Sequence, residues 1–231
     1  MFKKITIASI AACISLSSQA TETSNNFYIK ANSGVSFGQT PNGDFQEGTL
    51  DKSVIYGMAF GYKIHEDVSV DLSLDYRPGF KNNYQTSNAV SYDGGSVMTS
   101  DIKVKSLTSM LNFNYNLAKL GDLTTYFTAG LGASQNKTNE ATETRVYKDG
   151  FIQTETYSKG KKIDFAWKAG LGAKYSLNKN FDIDLHYQYV DLGKFVTGKT
   201  SSIDGGNYES IPVESGSIRS HEVLFGVAFK F

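Results

Sequence analysis

The stretch His221-Glu-Val-Leu-Phe-Gly-Val-Ala-Phe-Lys-Phe231, at the end of the 231-residue sequence, decides the fold class. Every second residue from position 223 onward is apolar: Val223, Phe225, Val227, Phe229 and Phe231. A period of two is the signature of a β-strand whose two faces differ. Because an exposed aromatic edge strand is a liability in a soluble protein, this stretch predicts the closing strand of a barrel in a membrane.

The first twenty residues predict a cleaved secretory signal peptide. Lys3 and Lys4 precede a short apolar run, and Ser18-Gln19-Ala20 has the small-x-small pattern of a signal peptidase site. A second interpretation is a lipoprotein signal, in which Cys13 would carry lipid. Cleavage after Ala20 leaves one domain over residues 21–231 without a cysteine, and therefore without disulfide or thiol chemistry.

The composition excludes some classes of function and favours β-structure. The formal net charge is zero, which gives no argument for a nucleic-acid partner. No stretch beyond the signal approaches the roughly 18 apolar residues of a transmembrane helix. Prolines are few, while Gly, Tyr and Phe are frequent, a balance that favours strands and turns.

Eight stretches of the sequence alternate with a period of two. They are Phe27–Gly38, Val54–Ile64, Val68–Pro78, Ile102–Leu117, Leu123–Ser134, Asp164–Leu177, Phe181–Gly193 and His221–Phe231. Long and short connections alternate between them, which is typical of outer-membrane barrels with short periplasmic turns and long outer loops. The sequence therefore predicts an all-β protein, an eight-stranded antiparallel up-and-down transmembrane barrel with both mature termini on the periplasmic side.

One face of these stretches carries the charges, and we expect it to line the interior. The predicted interior network is Lys30, Asp71, Asp75, Arg77, Lys168, Lys174, Asp182, Asp184, His186 and Glu222. A Lys or Arg that faces lipid near mid-membrane costs about 2–4 kcal/mol, so the apolar face should meet the lipid. A soluble barrel such as a lipocalin would show the same period, with the aromatic set inside.

The interior of an eight-stranded barrel is just filled by side chains. Acidic and basic residues are roughly balanced in the predicted network, and buried charges are tolerated when they are paired. We therefore expect a salt-bridged, non-conducting interior, with an open channel as the alternative. Inward glycines such as Gly61 and Gly172 leave room, which Tyr28, Tyr126 or water must fill.

Two constellations suggest chemistry, and each has a simpler interpretation. His186 beside Asp184 is either a proton- or metal-binding site or a hydrogen-bonded interior histidine, and no second inward histidine accompanies it. Ser220, His221 and Glu222 are the residue types of a hydrolase triad, but neighbours on a strand point to opposite faces. We expect no enzyme and no cofactor.

The long connections predict extended hairpins. Asp149-Gly150 is the pattern of a two-residue turn between β-prone arms, and Asp93-Gly94 and Asp204-Gly205 are placed similarly. Candidate contact residues in these loops are Tyr147, Asp149, Gly150, Phe151, Tyr157 and Tyr208. Lys159, Lys161 and Lys162 form a small basic cluster that faces solvent, anionic lipid headgroups or surface polysaccharide.

Several motifs together resemble the opacity-type, OmpX-like family of small outer-membrane barrels. They are Tyr28–Gly34, Ala129-Gly-Leu-Gly-Ala133, Ala169-Gly-Leu-Gly-Ala173, Tyr187–Gly193 and Ser220–Gly226 with the terminal Phe231. The resemblance implies a place in the outer membrane, extracellular loops that differ between members, and no shared catalytic residue. The terminal strand, with Val223, Phe225, Val227, Phe229 and Phe231, also resembles the signal read by the barrel assembly machinery.

The sequence thus predicts a monomeric bacterial surface protein, adhesin-like, that contacts outer-membrane lipid and a host-cell or extracellular protein ligand. A narrow porin-like passage and a purely structural envelope barrel are the alternatives.

Overall fold

The computed structural model describes residues 26–39, 51–89, 96–147, 150–203, 206–209, 212 and 214–231, without the side chains of residues 82–89, 96–101, 207 and 215. The predicted signal peptide over residues 1–20, Asp149, and the pairs Asp93-Gly94 and Asp204-Gly205 lie outside these residues. Within the described ranges, no helix is long and apolar enough to cross a membrane.

The described chain folds into antiparallel β-strands. Their bounds are β1 Phe27–Gly38, β2 Lys52–Lys63, β3 Val68–Ala89, β4 Ser96–Leu120, β5 Leu123–Thr138, β6 Ala141–Tyr147, β7 Ile152–Tyr157, β8 Lys161–Ser176, β9 Phe181–Val196, β10 Thr200–Ile203, β11 Gly206–Glu209 and β12 Glu214–Lys230. Eight of them form a ring in the order β1-β2-β3-β4-β5-β8-β9-β12, which the pairing of β12 with β1 closes. The predicted eight-stranded antiparallel barrel is confirmed.

The two ends of the barrel differ. At one end, which we call the turn end, the short connections 64–67, 121–122 and 177–180 join the strands, and both Phe27 and Phe231 lie there. At the other, the hairpin end, β3 and β4 continue beyond the ring and the four short strands β6, β7, β10 and β11 are found. The alternation of short and long connections in the sequence corresponds to these two ends.

The terminal strand is the seam of the barrel, as its alternation predicted. Register runs unbroken from Tyr28 opposite Lys230 to Gly38 opposite Ser220, and β12 also pairs with β9. Phe27 and Phe231 exchange backbone hydrogen bonds of 3.3 and 3.0 Å, and their rings lie 6.2 Å apart. What would be an exposed edge in an open sheet is therefore fully paired.

Two β-bulges change which residues face the interior near the hairpin end. Between Arg77 and Phe80, β3 has one residue more than its partner β4, and between Asp191 and Lys194, β9 has one more than β12. An extra residue reverses the alternation of the strand beyond it. Phe80 and Phe195 are thereby turned inward, and both are fully buried.

These bulges correct the predicted strand ends. The third and seventh strands were expected to end at Pro78 and Gly193, where the period of two breaks, but they continue to Ala89 and Val196. Proline is tolerated in strands at bulges, and Gly193 has a φ of +67°, which favours glycine. The fourth and eighth strands likewise begin earlier than predicted, at Ser96 and Glu214.

The barrel has an apolar outer face and a polar inner face through most of its height. The alternate residues with apolar side chains are exposed, among them Ile29, Met58, Phe60, Leu72, Leu111, Leu131, Leu171, Leu185 and Phe225. The charged alternates, such as Asp75, Arg77 and Glu222, are buried. The apolar surface therefore lies outside and the charges inside.

Candidate functional site: the barrel interior and the protruding sheet

The hairpin-end part of the interior is filled by an apolar plug. Its main members are Phe80, Ile102, Val104, Leu192, Phe195 and Ile218, each at most 1% exposed. The sequence analysis did not predict this plug, because it assigned the interior to the charged set alone. The available signal was the apolar residues beyond the two breaks in alternation, which the bulges turn inward.

Below the plug, a buried ion pair crosses the interior from β3 to β12. Arg77 Nε donates to Glu222 Oε1 at 2.6 Å, and Arg77 Nη2 donates to Glu222 Oε2 at 2.9 Å, a bidentate arrangement. Arg77 also donates to Thr108 Oγ1 at 3.1 Å, and Glu222 accepts from Ser36 at 2.7 Å and from Gln188 at 2.6 Å. Side chains from β1, β3, β4, β9 and β12 therefore meet at this one layer.

The next layer toward the turn end pairs its charges less directly. Lys168 Nζ lies 3.7 Å from Asp75 Oδ2. Asp71 is held by neutral donors, since Tyr28 Oη donates to it at 2.8 Å and Asn114 Nδ2 at 2.7 Å. The structure thus satisfies Asp71 with hydrogen bonds from neutral donors, whereas the sequence analysis expected the interior charges as a set to be salt-bridged.

A third layer gathers around Asp184. Lys30 Nζ lies 2.7 Å from its Oδ1, Tyr126 donates to its Oδ2 at 2.7 Å, and His186 Nδ1 is 2.7 Å from its Oδ1. His186 is buried within this layer. The arrangement is that of an interior histidine oriented by a carboxylate.

Beyond this layer the interior opens at the turn end into a cavity of about 590 Å³. Lys174 donates to Asn116 Oδ1 at 3.0 Å and Lys230 to Asp182 Oδ1 at 2.7 Å at its edge. The cavity walls mix both signs of charge; they include Tyr28, Lys30, Lys63, Asp71, Lys174 and Asp182.

Two inward glycines leave space that tyrosine rings fill. A Cβ atom on Gly61 would lie 2.1 Å from Cζ of Tyr28, and one on Gly172 would lie 2.5 Å from Cζ of Tyr126. Protein interiors are close-packed, so the missing side chains make the space that the rings occupy. At these two positions the tyrosines, not water, fill the room left by glycine.

The triad residue types on β12 are separated by the wall of the barrel. Ser220 donates to Glu222 Oε1 at 3.2 Å inside. His221 lies on the outer face, where it stacks on Tyr187 with ring centroids 5.9 Å apart and its Nε2 is 2.7 Å from Gln39 Nε2. A nucleophile and its base must be within hydrogen-bonding reach, which this geometry does not provide.

A sheet protrudes from the hairpin end. It consists of the parts of β3 and β4 beyond Phe80 and Val104, followed in order by β6, β7, β10 and β11, and we call it the protruding sheet. β6 pairs with β4 from Ser96 to Asp101, and β10 pairs with β7 from Ser201 to Ile203. The predicted extension of the hairpins is confirmed, whereas their joining into one sheet was not predicted beyond the β6–β7 hairpin.

The β6–β7 hairpin ends in an exposed apolar tip cluster, in which Tyr147 and Phe151 face each other on one side of the hairpin and Val146 and Ile152 on the other. Phe151 is 55% and Ile152 57% exposed. Tyr147 N–H donates to the Phe151 carbonyl at 2.9 Å, and Gly150 has a φ of +86°. The paired residues are therefore Tyr147 and Phe151, so the connection is one residue longer than the predicted two-residue turn. Val146 and Ile152 were not among the predicted contact residues, although they are next to Tyr147 and Phe151 in the sequence.

The other predicted contact residues differ in exposure. Tyr208 on β11 is 56% exposed. Tyr157, at the base of β7, is partly buried against the apolar plug, so it offers less contact area than expected. Burial raises the pKa of the Tyr157 hydroxyl, and the nearby carboxylates of Glu143 and Glu155 raise it further.

Glu143 and Glu155 stand directly opposite each other on β6 and β7. Glu143 is buried, and this burial raises the pKa of its carboxyl; Arg145, at 3.9 Å, opposes the shift and Glu155 adds to it. Like charges directly opposite on a sheet are destabilising. When both carboxylates are charged, their repulsion therefore destabilises the hairpin.

The predicted basic cluster at the base of the third long loop is divided between partners. Lys159 Nζ lies 3.5 Å from Glu140 Oε1, and Lys162 forms an ion pair with Glu214. The hydrogen bonds from Lys162 and Lys194 lower the pKa of the Glu214 carboxyl. Lys161 faces outward instead.

Comparisons with known proteins also indicate an outer-membrane β-barrel. A family model described as "Outer membrane protein beta-barrel domain" matches residues 6–231. The chain is 25% identical over 178 residues to the outer membrane protein PagN of Salmonella typhimurium, which covers 76% of this chain and 72% of PagN. It is 23% identical over 222 residues to a protein of Rickettsia conorii named as a candidate adhesin, which covers 92% of this chain and 85% of that protein.

Among solved structures, Neisserial surface protein A has a similar fold. The TM-score is 0.50 at 18% sequence identity, and the match covers 89% of this chain and 97% of that chain. This likeness concerns the fold of the barrel.

Proposed function

The chain belongs to the outer membrane β-barrel family, and from this premise we propose that it is an adhesin-like surface protein whose protruding sheet binds a host-cell or extracellular protein. In this proposal the hairpin end faces the exterior and the turn end, with both mature termini, faces the periplasm. Short periplasmic turns and long outer loops are the usual arrangement in such barrels.

The observation that carries the proposal is the exposed tip cluster at the far end of the protruding sheet. Val146, Phe151 and Ile152 are 40%, 55% and 57% exposed, and the rings of Tyr147 and Phe151 lie 5.8 Å apart. Large apolar and aromatic side chains exposed at the tip of a hairpin are typical anchors of protein interfaces.

A second feature of the sheet supports the same function. β11 is its last strand and pairs with β10 from Gly206 to Glu209, so its other edge has no strand beside it among the described residues. A free edge can bind an extended peptide through main-chain hydrogen bonds. Tyr208, exposed on that strand, offers a side-chain contact next to it.

The relatives are consistent with a surface-binding role. The Rickettsia conorii relative is named as a candidate adhesin and matches nearly the whole chain. In our proposal this chain also binds a partner at the cell surface, through outer loops whose sequence is its own.

The proposal is tested by binding of the purified, refolded barrel, in nanodiscs, to cultured host cells. We expect Phe151→Ser/Ile152→Ser to reduce binding about tenfold or more, since hot-spot residues often contribute at least 2 kcal/mol. Tyr208→Ser is the matched variant on the sheet edge, and its effect separates the tip from the edge. Unchanged binding by both folded variants would contradict the proposal.

A further inference from the structure

A patch of lysines faces outward around part of the barrel at the hairpin end. It comprises Lys81 on β3, Lys103 and Lys105 on β4, Lys137 on β5 and Lys161 on β8. Lys81 stands directly opposite Lys103, Lys105 opposite Lys137, and Lys137 opposite Lys161. We call these five residues the lysine patch.

This arrangement is unfavourable by itself. Side chains directly opposite on antiparallel strands have Cβ atoms about 4.5–5.5 Å apart, and like charges at that spacing are destabilising. Among the described side chains, no carboxylate lies within 4.0 Å of any of the five ammonium groups. The acidic residues close by are engaged elsewhere: Asp51 accepts from the backbone N–H of Lys52, Glu140 pairs with Lys159, and Asp164 and Glu214 pair with Lys162. An anion from outside the chain that bound here would relieve this repulsion.

The patch lies where the apolar outer face ends. On β4 the outward residues change from Lys103 and Lys105 to Leu107, and the outward residues from there to Leu117 are apolar except for Ser109. Ten residue steps of about 3.3 Å, tilted by about 40°, span about 25 Å, the height of the lipid-facing band of such barrels. The ammonium groups are therefore at the level of lipid headgroups.

Among the described residues, the opposite rim of the barrel has no comparable excess of lysine over acidic residues. At the turn end the exposed lysines Lys63, Lys119 and Lys179 are accompanied by the exposed acidic residues Glu66, Asp67 and Asp122. The excess of positive charge is thus specific to the leaflet at the hairpin end. A headgroup that carries several phosphates matches it in both sign and position, because lysine pairs strongly with phosphate.

We propose that the lysine patch binds the phosphate groups of a glycolipid headgroup of the lipid A type, in the leaflet at the hairpin end. The inference rests on the orientation proposed above, which brings this rim to the outer leaflet, and it does not depend on the binding of a protein partner. The bound phosphates neutralise the facing lysines and fix the depth of the barrel in the membrane.

The test measures binding of diphosphorylated lipid A to the refolded barrel in neutral detergent, with native mass spectrometry. Each lysine near an anionic surface is expected to strengthen binding about fivefold, so Lys105→Gln/Lys137→Gln should weaken it about 30-fold. The matched variant Lys119→Gln/Lys179→Gln, at the turn end, should leave binding unchanged. Lys137→Arg, which keeps the charge, should also retain it.

Three comparison arms identify the ligand chemistry. Dephosphorylated lipid A and inorganic phosphate should each bind far more weakly than the diphosphorylated lipid, and phosphatidylglycerol, with a single phosphate, should be intermediate. Equal binding of the dephosphorylated lipid, or equal loss in the turn-end variant, would overturn the proposal. The lipid measurement uses no host cells, so its outcome is separate from that of the cell-binding test. If the barrel binds lipid A but the tip variants bind cells as well as the wild type does, only the proposed function is contradicted.

Discussion

At the scale of single residues, the feature with the greatest energetic consequence is the buried pair of Arg77 and Glu222. Both side chains are fully buried, and each is held by further hydrogen bonds. Breaking a buried pair by removing one partner leaves an uncompensated charge, whereas replacing both partners by apolar groups is often nearly neutral. The pair is therefore best tested by comparing a single with a double substitution.

We expect Arg77→Ala to destabilise the barrel by about 3–5 kcal/mol, because Glu222 would remain buried without its cation. The double variant Arg77→Met/Glu222→Leu should lose much less. Unfolding in guanidinium, followed by tryptophan fluorescence in lipid vesicles, measures both. Equal losses in the single and the double variant would show that packing, not charge, holds this layer.

Glu143 predicts a pH dependence confined to the β6–β7 hairpin. Burial raises the pKa of its carboxyl in the folded hairpin above its usual value, so the folded state holds the proton more tightly than the unfolded state. Local stability is therefore lost as pH rises from the usual pKa of the carboxyl through its raised value, and is regained on acidification.

Hydrogen exchange of the β6–β7 amides across this range, corrected for intrinsic rates, measures the effect. Glu143→Gln should remove the pH dependence and increase protection at neutral pH. Glu209→Gln, at an exposed position of β11, is the control and should leave the slope as it is. If amide protection in Glu143→Gln still depends on pH in the same way, another group causes the effect.

At the scale of elements, the bulges decide how the strands continue. Each adds one residue to a strand and turns a phenylalanine into the interior, so the apolar plug depends on them. The bulge in β9 contains Gly193, whose φ of +67° lies in the left-handed region. Its N–H is fixed by Asp191 Oδ1 at 2.9 Å.

We expect Gly193→Ala to destabilise the barrel by about 1–2 kcal/mol, since an L-residue is strained in this conformation. A Cβ atom there would also lie 2.6 Å from Cβ of Asp164. The midpoint of guanidinium unfolding measures the loss. Ala169→Gly on the outer face of β8 serves as a comparison for the general effect of one methyl group; a Gly193→Ala variant as stable as the wild type would remove the role assigned to the bulge.

The hairpin β6–β7 is the second element with a direct test. Replacement of residues 142–157 by a short Gly-Ser linker should leave the eight-stranded ring intact, because its pairings do not include these residues. Host-cell binding should fall at least as far as in the tip variant. Heat-modifiable migration on gels reports the folded ring, and a deletion that binds cells normally would exclude this hairpin as the contact site.

At the scale of the whole molecule, the interior is layered from an apolar plug, through buried charges, to an open cavity. The cavity of about 590 Å³ at the turn end is a feature that a porin-like passage would need. However, the apolar plug and the Arg77–Glu222 layer lie between this cavity and the hairpin end. We infer that the barrel does not conduct ions.

Planar-bilayer recordings test this inference. The wild-type barrel should give no conductance steps, while Phe80→Ala/Phe195→Ala, which empties part of the plug, should give transient openings. Leu111→Ala on the outer face is the control and should resemble the wild type. Regular steps from the wild type would favour the porin-like alternative.

The sequence by itself determined the eight spanning strands, the face each presents outward and the closing role of Val223 to Phe231. Alternation of apolar and polar residues is a property of neighbours in the chain, so it can be read without the fold. The inward placement of Lys30, Asp71 and Glu222 follows from the same alternation. The resemblance to outer-membrane barrels rested on the same strands, and the family match agrees with it.

The tertiary structure alone decided which charges meet across the interior, how the hairpins join into one sheet, and where the lysine patch forms. These features depend on register between strands and on two bulges, each of which reverses the alternation that the sequence shows. Arg77 meets Glu222, 145 residues away, and Lys105, Lys137 and Lys161 align because three strands share one register. Such contacts arise when the ring closes, and no local pattern contains them.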